Sequence, residues 1–135
     1  MELAWCYAAK GLYEDAFVEL DKAKGINPEF DAQFTFSYAH VLALVGEREK
    51  AVEQMNELKK QGVNGYVDPV LMAMICSGLG EKDKAFDWFD RGFQSRASHM
   101  MELQTVAERE FWFKNISSDP RYATLLKKMK FPNNN

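Results

Sequence analysis

Gly11-Leu12-Tyr13-Glu14-Asp15-Ala16, Gly46-Glu47-Arg48-Glu49-Lys50-Ala51 and Gly80-Glu81-Lys82-Asp83-Lys84-Ala85 share one frame: a glycine, four residues, an alanine. The glycines stand 35 and 34 residues apart. A period of that size, kept across three segments, marks a chain of stacked supersecondary units. The alignment extends on both sides. Leu3 matches Tyr38 and Met72, Ala4 matches Ala39 and Ala73, and Tyr7 matches Leu42 and Cys76. Beyond the shared alanine, Leu20 matches Met55 and Phe89, and Ala23 matches Leu58 and Gly92.

Each unit reads as two helices. Apolar residues recur at three- and four-residue steps before the glycine (Leu3, Ala4, Tyr7, Ala8) and after it (Ala16, Leu20, Ala23). Gly11, Gly46 and Gly80 fall where a first helix must stop and reverse, a position that favours a left-handed backbone. Ala4, Ala39 and Ala73 on the first helices oppose Ala16, Ala51 and Ala85 on the second. A bare methyl at each of these places lets two helix axes approach closely, and the larger residues a turn away fill the flanks.

These residues resemble the tetratricopeptide repeat, a helix–turn–helix unit of about 34 residues. Leu3, Ala4, Tyr7, Ala16, Leu20, Ala23 and Pro28 fall at that family's positions, with Ala replacing the usual glycine after the leucine. The second and third units keep the alanine pair and lose the closing proline; Val63 stands there in the second. The resemblance implies an all-α, right-handed solenoid of three hairpins, over residues 1–30, 31–64 and 65–96. On this reading the first helix would begin before Met1, so the chain is expected to be the end of a longer protein.

No fourth glycine–alanine frame follows. The last second helix is expected from about 83 to 96, with Phe86, Phe89 and Phe93 on one stripe. A short helix is expected within 97–110. Then come Phe111, Trp112 and Phe113, and Asp119-Pro120, an N-cap followed by a proline suited to the first helical position. A final helix is expected from Pro120 to Met129, its apolar face formed by Tyr122, Leu125, Leu126 and Met129. Solenoids need a cap on their last apolar face. Residues 97–131, with Phe111, Trp112, Phe113, Asp119, Pro120, Leu125 and Leu126, are expected to supply it, leaving 132–135 as a frayed tail.

A second resemblance covers roughly residues 64–131. Tyr66-Val67-Asp68-Pro69, Ala73-Met74-Ile75, Leu79 through Phe89, and Ser118-Asp119-Pro120-Arg121-Tyr122 are similar to C-terminal repeat regions of bacterial multidomain regulators. In those proteins a winged-helix domain, a serine/threonine kinase or a nucleotide cyclase precedes the repeats. The resemblance implies a regulatory or interaction module joined to an effector. Cys76 stands where the usual residue is aromatic.

Tetratricopeptide repeats line their concave face with first-helix residues. The matching positions are Trp5, Ala8 and Ala9; Gln33, Phe36, Ser37, His40 and Leu44; and Val70, Leu71, Met74 and Ser77. An apolar groove of this kind suits an amphipathic helix or an extended apolar peptide. The Lys, Asn and Arg set by which some family members clamp a terminal carboxylate is absent at these positions.

Composition narrows the function classes. The 135 residues are 47% hydrophobic, 13% aromatic and 27% charged, which excludes a disordered chain. A net charge of −3 argues against a general nucleic-acid binder. Two cysteines, Cys6 and Cys76, are too few for a disulfide framework and read as free thiols of a reducing compartment. No apolar run reaches membrane-spanning length. His40 has no nucleophile or orienting carboxylate at a workable spacing, and His99 with Glu102 makes only a two-residue metal pair. Glycine-rich phosphate loops and nucleophile elbows are absent. Glu14, Asp15, Glu47, Glu49, Glu81 and Asp83 open second helices, the favourable sign for the helix dipole, and Lys127 and Lys128 close the last one.

The expected function is therefore non-catalytic: a protein-binding scaffold whose groove around Trp5, Phe36, His40 and Met74 holds a protein or peptide, with no cofactor, metal, nucleic acid or membrane. A cis-regulatory domain of a bacterial signalling enzyme or transcription regulator is the alternative, with its own effector as partner. Self-association into a homodimer is the third reading. The expected location is the cytoplasm, or the periplasm if the full-length protein has an upstream anchor.

Overall fold

The turns after Gly11, Gly46 and Gly80 share one geometry. All three glycines have positive φ, at 78°, 93° and 77°. In each turn the glycine N–H donates to the carbonyl three residues back: Ala8, Ala43 and Ser77, at 3.0, 3.1 and 3.0 Å. The next N–H donates five residues back: Leu12 to Tyr7, Glu47 to Leu42 and Glu81 to Cys76, at 2.9, 3.0 and 3.0 Å. This paired closure satisfies carbonyls that a helix C-terminus otherwise leaves open. The following helix then starts with Ala16, Ala51 and Ala85 donating to Leu12, Glu47 and Glu81.

The structure, a computed structural model, describes residues 2–26, 31–62, 67–95 and 113–129. Among these the chain forms seven α-helices and no strand: α1 (Glu2–Ala9), α2 (Tyr13–Ala23), α3 (Asp31–Val45), α4 (Arg48–Gln61), α5 (Pro69–Gly78), α6 (Lys82–Ser95) and α7 (Pro120–Met129). The architecture is all-α and repeat-like. The short helix expected within 97–110, together with Pro28, Val63, His99, Phe111, Trp112 and the 132–135 tail, lies outside the described residues.

The chain divides into two compact units, residues 1–67 and 68–135. In the first, α1 packs on α2, α2 on α3 and α3 on α4. Ala4, Ala16, Ala39 and Ala51 are all 0% exposed, as their place between paired helices requires. Phe17 of α2 meets Tyr38 of α3 edge-on at 5.5 Å, and Phe34 stacks on Tyr38 at 5.8 Å. Gln61 of α4 reaches back to Thr35 Oγ1 at 3.1 Å, and that hydroxyl donates to the Asp31 carbonyl.

In the second unit α5 packs on α6 and α7 on α6. Ala73 and Ala85 are again fully buried. Asp68 caps α5, accepting from the Val70 N–H at 2.9 Å with Pro69 in the first turn. Asp119 caps α7 in the same way, accepting from the Arg121 N–H at 2.9 Å. Phe113 is fully buried, 4.8 Å from the Phe89 ring and 6.3 Å from Tyr122. Ile116 is fully buried beside it in sequence, and Tyr122 and Leu125 are buried on α7. The sequence places a boundary at residue 96, between repeats and cap. In the second unit the third hairpin and α7 pack together, with Phe113 in the same core as Phe89.

Candidate functional site

The residues expected to form the groove come from both units, and each set is described in its own. In the first unit α3 carries Gln33, Phe36, Ser37, His40 and Leu44 at three- and four-residue steps. Gln33 is exposed, Leu44 is half-buried, and Phe36, Ser37 and His40 are 3%, 0% and 0% exposed. The Phe36 and His40 rings lie nearly parallel with centroids 6.2 Å apart. Trp5 comes from α1 and is half-buried. Its indole Nε1–H donates to Ser37 Oγ at 2.9 Å, and the Ser37 hydroxyl donates to the Gln33 carbonyl at 2.9 Å. The buried serine thus accepts one bond and donates another, which removes most of the cost of burying it.

In the second unit Val70 and Met74 are 0% and 1% exposed, Ser77 is 1% exposed, and Leu71 is half-buried. The expectation of an open surface at Phe36, Ser37, His40, Val70 and Met74 therefore needs correction: these are interior side chains. Of the expected positions in the first unit, Trp5, Ala9, Gln33 and Leu44 retain accessible surface. The reason is physical. A first helix of this kind is apolar on nearly all sides, so spacing alone does not separate its inward face from its groove face.

Of the expected cap, Phe113 and Leu125 are buried, Leu126 and Asp119 are half-buried, and Pro120 is exposed. Two features there escaped the sequence reading. Asn115 Nδ2 donates to the Ser77 carbonyl at 3.1 Å, covering the C-terminal end of α5. Arg121 lies over the Phe86 ring at 4.5 Å, and its Nη1 reaches Asp83 at 2.8 Å while Nε and Nη2 hold Asp119 at 3.1 and 3.0 Å. The Arg121 side chain and backbone N–H together hold the Asp119 carboxyl below the usual carboxylate range. Hydrogen bonds from Arg121 to Asp119, then to Asp83, make the guanidinium still harder to deprotonate. Beside this clamp is a shallow depression of about 280 Å³, bordered by Phe86, Asp90, Arg121, Thr124, Leu125 and Lys128. Three of the Arg121 nitrogens already face carboxylates, so this guanidinium is committed to Asp83 and Asp119.

Among the described residues, no group of three His, Cys, Asp or Glu side chains is placed to hold a metal. Cys6 is exposed, Cys76 is buried, and neither is in a disulfide. No helix among the described residues is long and apolar enough to cross a membrane. No protein-family model matches the chain, and no curated protein or solved structure matches it either.

Proposed function

We propose that this chain is a non-catalytic protein-interaction module of tetratricopeptide type, its three hairpins stacked as a right-handed solenoid. The observation that carries the reading is the threefold recurrence of one hairpin: a left-handed glycine, the same two turn hydrogen bonds, and a fully buried alanine on each facing helix. Stacked hairpins offer rigid surface built from successive first helices, and such surfaces act by holding partner segments. In the first unit the accessible part includes Trp5, Gln33 and Leu44, a half-buried aromatic, an amide and an aliphatic side chain, with Ala9 beside them in the expected set. That chemistry suits a short apolar segment carrying one hydrogen-bonding group. Two cysteines outside any disulfide suit a reducing compartment, and the cytoplasm is the location proposed for the module.

Affinity capture with the wild-type chain beside a Gln33→Asp/Leu44→Glu copy tests this reading. Both positions have solvent-facing surface, so the fold survives the change and helicity by circular dichroism remains the same. A partner retained by the wild-type chain and lost by the variant supports the proposal. Identical captured sets from the two chains refute a binding surface on α3.

A further inference from the structure

We draw no further inference here: the strongest candidate, the shallow depression between α6 and α7 bordered by Phe86, Asp90, Leu125 and Lys128, carries nothing, because charges of both signs border it and nothing in the structure shows what occupies it.

Discussion

Replacing the turn glycines one at a time isolates the backbone cost of reversing each hairpin. A Cβ built on Gly11, Gly46 or Gly80 meets no atom within 4 Å, so an alanine methyl has room at each. The whole penalty must then come from the left-handed backbone. For an L-residue that conformation costs about 1–2 kcal/mol. Alanine also narrows the unfolded ensemble, returning about 0.4–1 kcal/mol. The net expectation is a loss of about 1 kcal/mol per substitution, a fall of roughly 4 °C in Tm for a chain of this size. The three sites are not equal. Gly46 has φ of 93°, against 78° and 77° at Gly11 and Gly80, so it lies furthest from the region that L-residues tolerate and should cost the most. Urea unfolding followed by far-ultraviolet circular dichroism measures each loss. A D-alanine placed at residue 46 by semisynthesis is the decisive control. Its mirror-image preference accepts this φ, so the protein should be as stable as wild type or more so. Equal destabilisation by L- and D-alanine would refute the argument, because it would mean that contacts, not dihedrals, set the cost.

Phe113→Ala should destabilise the second unit by about 3–5 kcal/mol, because the ring is fully buried against Phe89 and its loss leaves a cavity; near-ultraviolet circular dichroism and urea unfolding check this together. Trp5→Phe removes the indole donor to Ser37 Oγ and should cost about 1 kcal/mol, and restoring wild-type stability with an added Ser37→Ala would show that the hydrogen bond accounts for it. Asp119 has its folded-state pKa lowered by Arg121, so its contribution to stability is complete above the unfolded carboxylate pKa and is lost as pH falls through the folded value. Asp119→Asn should therefore flatten the acid limb of stability against pH while leaving the neutral limb's slope alone; an unchanged acid limb would count against the clamp.

The hairpin frame was legible because it depends on positions with few solutions. A reversal with positive φ admits glycine far more readily than any other residue, and a close helix crossing admits alanine, so Gly11, Gly46 and Gly80 and their alanine partners stand out without structural help. The Asp119-Pro120 start of α7 was legible for the same reason. Asp68-Pro69 carries the identical signal and caps α5 identically, yet its reading went to the family resemblance instead of to the cap. The groove was less legible. Gln33, Phe36, Ser37 and His40 share a helical spacing, but on a helix apolar nearly all round that spacing places residues around the axis without saying which side the core occupies. Burial assigns Phe36, Ser37 and His40 to the interior and leaves Gln33 outside. Asn115 and Arg121 were illegible for a different reason. Their partners, Ser77 and Asp83, are 38 residues away in both cases, and a polar contact at that separation leaves no periodic trace.

The apolar edge of the third hairpin is covered from within the chain. At the C-terminal end, α6 presents Phe86 and Phe89, and the chain covers them itself with Phe113, Tyr122 and the Arg121 guanidinium. Arg121 bonds Asp83 of α6 and Asp119 of its own helix, so it pins α7 with one charge and two carboxylates. Exposed pairs contribute little energy individually, and the docking of α7 must come chiefly from the rings and Leu125 that it buries.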